Sequence, residues 1–208
     1  MYDLKQIERL YRYSYLSFIA TFFGALLVFW FFQPIAEPII LKSWFATFLI
    51  LTLARIIVTW RFYNNEHSDT EPWFMTFVIL STTSGILWGL TGFILIPQDT
   101  LTLFESVLYH GMLLLFIAAL ISGSLITYSA SKMVYLSFSV PAMVPQCLML
   151  ISKGDQYHSF LGGFVLAYTC VMFVISIYIH RIFTDNGKIE ARNELLELAL
   201  KNNGIKLN

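Results

Sequence analysis

The 208-residue chain is 57% hydrophobic and only 12% charged, whereas soluble domains carry about 25% charged residues. Its 13 basic and 13 acidic residues balance, so net charge gives no reason to expect a nucleic-acid partner. The charges lie at both chain ends and in short bends between long uncharged runs, a pattern typical of a polytopic membrane protein rather than a soluble one.

The apolar runs predict an all-α fold, a polytopic membrane bundle of six transmembrane helices with a short cytoplasmic C-terminal helix. Each run approaches the roughly 20 helical residues that cross a bilayer. The membrane domain is predicted to cover residues 1–181, and a linker helix (189–201) with a tail is predicted within 182–208. The predicted spans are 15–32, 43–60, 73–96, 106–127, 133–151 and 160–180.

The first run is predicted to be a retained span, because residues 33–37 offer no A-x-A-like signal-peptidase site. Cys147 and Cys170 lie inside predicted spans at different depths, so we expect them to pack rather than form a disulfide. The sequence contains no CxxC, phosphate-loop, HExxH or GxGxxG pattern. We therefore expect no metal, no cofactor and no enzymatic activity in these residues.

Small residues and prolines predict where the helices meet. Gly85 and Gly89 form a small-xxx-small pair in span three. Span four is rich in small residues, and span five carries Pro141 and Pro145 on one face. Proline frees backbone carbonyls, which in lipid must be satisfied by neighbouring protein. This pattern predicts that spans four and five, over 106–151, are the packed centre of the bundle.

The distribution of Lys and Arg predicts the orientation. With six spans and a cytoplasmic N-terminus, ten of the 13 basic residues fall on the cytoplasmic side, Lys42 and Lys153 fall on the other, and Arg55 lies within a span. This bias is a positive-inside signal. Both termini are therefore predicted to be cytoplasmic, in a multi-pass protein of the bacterial inner membrane.

Arg55 and His110 are the ionisable residues most open to a functional interpretation. An intramembrane charge is a functional-site hypothesis by default, but Arg55 lies five residues from Trp60, so its side chain could also snorkel to the interface. His110 lies one turn into span four, on the side where Glu105, Asp99, Asp155 and His158 are expected. A metal or proton-sensing cluster there is one alternative, and a structural role at the interface is the other.

Aromatic and hydroxyl side chains suggest a polar or apolar pocket. Trp88 stands beside the span-three glycines, where it could pack or form the wall of an apolar ligand site. A second group of tyrosine and serine residues either lines a polar pocket or forms hydrogen bonds between helices, and we prefer the hydrogen bonds. That group comprises Tyr109, Tyr128, Ser129, Tyr135 and Ser137.

Three other function classes remain as alternatives. One is a purely structural membrane subunit, whose deletion would impair the assembly of a partner rather than signalling. A small transporter or permease subunit would require pseudo-symmetry between the two halves of the chain, and the interrupted spans three and five do not occupy matching positions. An intramembrane serine protease would require a serine and a histidine in spans that meet, for example Ser122 and His180. A glycine two residues before the serine is typical of such proteases, and Leu120 stands there.

The arrangement resembles the N-terminal membrane sensor regions that precede cytoplasmic diguanylate cyclase (GGDEF-type) or histidine kinase modules in bacterial signalling proteins. The resemblance covers about residues 45–200. The matching residues are Ala54-Arg55, Trp60-Arg61, the run from Ser84 to Gly89, Pro97, Ser122-Gly123-Ser124, Pro141, Pro145 and the polar helix around Asn193 to Leu196.

The resemblance implies a sensory input domain, a homodimer that relays a signal to an output module fused to or associated with its C-terminus. The chain is then expected to be either an excised input region or a short relative with a separate partner protein. An apolar or membrane-borne cue is expected to bind between spans three, four and five. The residues that we single out for ligand binding or signalling are Arg55, Trp88, His110, Tyr135, Pro141 and Pro145.

Overall fold

A computed structural model of the chain describes residues 4–64, 70–97, 100–128 and 130–202. These residues form helices joined by short connections, without a strand in the described ranges. The helices are α1 (Leu4–Phe32), α2 (Pro38–Asn64), α3 (Glu71–Leu95), α4 (Leu103–Thr127), α5 (Lys132–Ser152) and α6 (Gln156–Asn202). Asp99 and Ser129, which the sequence places in bends, lie outside these ranges.

All six helices are long and apolar enough to cross a membrane, with mean hydropathy of 1.7 to 2.2 in their most apolar windows. The six predicted spans are therefore confirmed as helices, and the protein has the features of a multi-pass membrane protein. The connections α1–α2, α3–α4 and α5–α6 lie at one end of the bundle, which we call the distal end. The chain termini and the other connections define the proximal end.

The helices extend beyond the apolar runs because polar residues satisfy their exposed first turns. At α4, the Thr102 hydroxyl accepts a hydrogen bond from the Glu105 amide, and the Glu105 carboxylate accepts one from the Thr102 amide, which is a capping box. At α6, the Asp155 carboxylate accepts hydrogen bonds from the amides of Tyr157 and His158. These caps fix where α4 and α6 begin at the distal end.

The closest helix pair is α3–α5. A Cβ atom added to Gly85 would collide with the Phe138 carbonyl oxygen, and one added to Gly89 would collide with the Pro141 carbonyl oxygen. Pro145 has no N–H group, so the Pro141 carbonyl lacks its usual helical donor. This carbonyl instead faces the Gly89 backbone, where only a glycine leaves enough space.

Gln146 completes this interface from α5. Its side-chain amide is fully buried and donates to the Gly89 carbonyl at 2.9 Å. A Cβ atom on Gly92 would lie only 2.6 Å from the Gln146 Oε1 atom. Three glycines of α3 therefore receive one face of α5 along its length.

The prediction that spans four and five are the packed centre is wrong in its choice of partners. Gly111 and Gly123 of α4 have no atom within 4 Å of an added Cβ. These small residues do not bring α4 close to another described helix, whereas the glycines of α3 do.

The C-terminal helix is also different from the prediction. Residues predicted to form a separate short helix (189–201) belong to α6, which continues without a break to Asn202. One element of 47 residues thus combines the sixth apolar span with the polar segment that follows it.

Candidate functional site

Arg55 lies inside the bundle and does not snorkel. The residue is only 5% exposed. Its guanidinium Nη2 donates a hydrogen bond to the Tyr128 hydroxyl at 2.8 Å, and its Cζ lies 5.1 Å from the centre of the Phe18 ring. The Tyr128 hydroxyl also lies 3.1 Å from the Ser17 Oγ atom. Arg55 therefore joins α1, α2 and the end of α4, held by a hydroxyl and an aromatic face.

Trp88 belongs to the core rather than to a ligand cavity. Its side chain is fully buried and its ring contacts Trp44 and Phe48, with ring centres 5.9 and 4.6 Å apart. Trp44 in turn donates its indole N–H to the Thr91 hydroxyl at 3.1 Å. The space beside Trp88 in which a ligand would bind is thus filled by the rings of Trp44 and Phe48.

Two cavities large enough for a ligand open beside α6. A cavity of about 450 Å³, which we call the lateral groove, lies between α4 and α6 and reaches Met143 of α5. Its lining is almost wholly apolar and includes Leu108, Gly111, Leu161 and Phe164. A second cavity of about 240 Å³ lies further along α6 and is lined by Tyr135 and Val140.

Tyr168 stands between these two cavities and lines both. Its hydroxyl donates to the Ala118 carbonyl at 2.8 Å and lies 2.8 Å from the Ser122 Oγ atom. Ser122, the candidate nucleophile of the protease alternative, is therefore hydrogen-bonded to a tyrosine. The same contact is a polar bridge from α6 to α4 between two apolar cavities.

Pro141 and Pro145 lie on the other side of α5, inside the α3–α5 contact. Of the six residues singled out from the sequence, only Tyr135 lines a sizeable cavity of those described above. The structure therefore separates the predicted residues into four groups: the Arg55 contact, the Trp88–Pro141–Pro145 core, Tyr135 in the wall of the second cavity and the distal residue His110.

His110 is part of a polar cluster that ties α4 to α6 at the distal end. We call Ser106, His110, Asp155 and His158 the histidine cluster. Ser106, His110 and His158 are buried, with exposures of 7%, 1% and 2%. The two imidazole rings are perpendicular, with centres 5.2 Å apart. The prediction that His110, Asp155 and His158 lie on one side of the bundle is confirmed.

Hydrogen bonds run through the whole cluster. The His158 Nδ1 atom lies 2.5 Å from the Asp155 carboxylate, and its Nε2 atom lies 3.0 Å from the Ser106 Oγ atom. The His110 Nδ1 atom lies 2.7 Å from the Ser106 carbonyl oxygen. The His110 Nε2 atom is buried and has no hydrogen-bond partner in the part of the chain that the structure describes.

Asp155 is the member that meets solvent, with a side chain 29% exposed. The backbone N–H of His158 donates to its carboxylate and holds the pKa of Asp155 below its usual range. Asp155 is therefore an anion in neutral and mildly acidic solution. Within the described residues, no group of three or more His, Cys, Asp or Glu side chains has the arrangement of a metal site.

Comparison with protein-family models, curated proteins and solved structures finds no match to this chain.

Sequence reasoning missed three residues that organise the site: Ser106, Gln146 and Tyr168. Ser106 was one small residue among many in span four, and its role depends on which face α4 turns to α6. The contact between Asp155 and His158 did have a local sequence signal. Asp155 is a helix-capping residue type, and it stands three residues before His158 and directly before an apolar run.

Proposed function

We propose that this chain is a membrane-embedded sensory domain that relays a signal to a cytoplasmic output module such as a diguanylate cyclase or a histidine kinase. The observation that carries the proposal is the unbroken helix α6. The last 20 of its 47 residues lie beyond the 27-residue apolar part. They extend the helix by about 30 Å at 1.5 Å per residue. A displacement of α6 at the bundle is thereby passed on to whatever follows.

The input lies at the α4–α6 interface. The lateral groove has the size and apolar lining of a small-molecule site, so its ligand is an apolar molecule that reaches it through the bilayer. Its binding favours one of two packings of α6 on α4. The Tyr168 bridge is intact in one packing and broken in the other, which gives the two states different polar contacts.

The orientation and partners are part of the same proposal. Both termini lie in the cytoplasm and the bundle lies in the bacterial inner membrane, supported by the ten basic residues of the proximal side. The domain acts as a homodimer through α6, whose Phe164, Val171 and Tyr178 side chains are 63%, 55% and 66% exposed in the single chain. Catalysis is supplied by the output module.

The test exploits the phase of the α6 helix. The bundle is joined after Asn202 to a diguanylate cyclase module, and cyclic-di-GMP production is measured in membranes at equal protein abundance. Two alanines inserted after Arg181 turn the following helix by about 200°, whereas seven turn it by only about 20° from its original phase. We expect the two-residue insertion to change output severalfold and the seven-residue insertion to restore it.

Output that is equal in the parent and in both insertions would contradict transmission through α6. The same two insertions are also made after Asn202, at the junction with the module. This control shows whether cyclic-di-GMP production depends on the geometry of the junction rather than on the bundle.

A further inference from the structure

The histidine cluster is inaccessible to a substrate although its connectivity is that of a nucleophilic triad. Asp155, His158 and Ser106 are linked in the order carboxylate, imidazole and hydroxyl. Ser106 and His158 are buried, however, and neither lines the lateral groove or the second cavity. An acyl group would have no path to the Ser106 hydroxyl. A proton does have one, through the partly exposed Asp155 carboxylate.

On neutral imidazoles, the hydrogen bonds define which nitrogen of each ring carries the proton. Asp155 is an acceptor, so His158 carries its proton on Nδ1 and accepts from the Ser106 hydroxyl at Nε2. The Ser106 carbonyl is also an acceptor, so His110 carries its proton on Nδ1. The arrangement is complete with two neutral imidazoles and one carboxylate.

A further proton disrupts this arrangement. On His158 it occupies the Nε2 atom, so that the Ser106 hydroxyl can no longer donate there. On His110 it falls on the buried Nε2 atom, which has no acceptor among the described residues, and a buried donor without an acceptor destabilises the state that holds it. Two protonated imidazoles at 5.2 Å would also repel each other.

We propose that the histidine cluster is a proton-binding site, and that proton uptake opens the distal end of the α4–α6 interface. This inference rests on the proposed function, because it names a regulator of the same α6 helix. Opening gives His110 access to water and separates it from His158. Acid therefore favours the packing in which α6 is displaced from α4.

Charged groups on each neighbouring segment set the balance. Asp155, at the start of α6, stays ionised as the pH falls because the hydrogen bond from the His158 backbone N–H lowers its pKa. Lys153, in the α5–α6 connection, adds positive potential at His110. A proton on His110 drives the opening, because the buried Nε2 atom meets no acceptor among the described residues.

The experiment measures the distance between α4 and α6 in the full chain reconstituted in lipid nanodiscs. Spin labels are placed at Leu103→Cys and Tyr157→Cys, which are exposed positions in the first turns of α4 and α6. Cys170 is replaced by serine, and Cys147 is buried. We expect the distance to increase by about 2 Å or more between pH 8 and pH 4, a range wide enough to include the titration of a buried histidine.

The variant His110→Asn keeps a donor for the Ser106 carbonyl but cannot titrate, so it should abolish the increase. The variant His180→Asn, at the proximal end of α6, should leave the increase unchanged. A distance that does not respond to pH in the parent would overturn the proposal. So would a response that persists in His110→Asn.

A measurement on the parent chain guards against a variant that fails to fold. Nitrogen-15 NMR of histidine-labelled protein should show the Nδ1–H tautomer for two imidazoles at pH 8, and both should titrate in linked steps. Their absence would also overturn the proposal. Because these readouts involve no output module, a failed proton site and a failed sensory function remain distinguishable: the helix-phase insertions test only the second.

Discussion

The α3–α5 interface and the α4–α6 interface differ in how closely their helices pack. Between α3 and α5, glycines face backbone carbonyls, and no space remains for a side chain. Between α4 and α6, an apolar cavity of about 450 Å³ separates the helices, and polar contacts at Tyr168 and at the histidine cluster bridge it. The glycines of the first interface hold its helices in close contact. The second has space beside its bridges, so we expect it to be the more mobile of the two.

The largest expected loss of stability comes from adding a methyl group to the glycine face of α3. Gly89→Ala places a methyl group against the Pro141 carbonyl, and overpacking of this kind costs about 3 kcal/mol. Thermal unfolding in detergent micelles should show a large loss of stability. Gly123→Ala is the matched control, because its new methyl group meets no atom within 4 Å. Equal losses in both variants would contradict the difference between the interfaces.

A second change fills the space at α4. Gly111 lines the lateral groove, so Gly111→Leu should occupy it without loss of stability. Binding of an apolar fluorescent probe should weaken about tenfold, equivalent to about 1.4 kcal/mol. Gly123→Leu, outside the groove, should leave probe binding unchanged. Unaltered binding in Gly111→Leu would show that the probe binds elsewhere.

The α6 cap should show a defined pH dependence. Asp155→Ala removes the capping carboxylate and should cost about 1 kcal/mol at neutral pH. Because the pKa of Asp155 is lower in the folded protein than in the unfolded chain, its contribution is complete above the unfolded pKa. It is lost as the pH falls through the folded pKa. The stability difference between parent and variant should therefore vanish in strong acid, and a difference that is constant with pH would refute this.

The smallest effect is expected at the bridge. Tyr168→Phe removes the hydrogen bonds to Ala118 and Ser122, and such contacts in membrane proteins contribute about 0.6 kcal/mol each. Ser122→Ala leaves the Ala118 bond in place and should cost less. Hydrogen exchange should then quicken in α4 and α6 and stay slow in α3 and α5. Equal acceleration in all four helices would mean that α4–α6 is not an independent mobile interface.

The number and order of the helices followed from the apolar runs, because each run has to cross the hydrocarbon layer. The helix ends did not: α1 begins at Leu4 rather than near residue 15, since a helix that leaves the apolar layer continues as long as its backbone bonds are satisfied. Partner choice was the main error. Gly111 and Gly89 look alike in sequence, and only the rotation of each helix decides which of them meets a neighbour.

The candidate site was predictable to the same extent. The placement of His110 near Asp155 and His158 follows from topology alone, whereas the link through Ser106 depends on the facing of two helices distant in sequence. Arg55 shows the opposite case. Its distance from Trp60 in sequence allowed a position at the membrane interface. The Tyr128 hydroxyl and the Phe18 ring instead hold the guanidinium inside the bundle.

The contact between Gly89 and Pro141 has a consequence for biosynthesis. The ribosome delivers α3 first, then all of α4, and only then the proline-containing α5. Until α5 emerges, the glycine face of α3 has no partner, and α5 itself carries carbonyls that its own helix cannot satisfy. We therefore expect α5 to insert stably only when α3 is close enough to contact it. The helix α4 must then insert before the contact between α3 and α5 has formed.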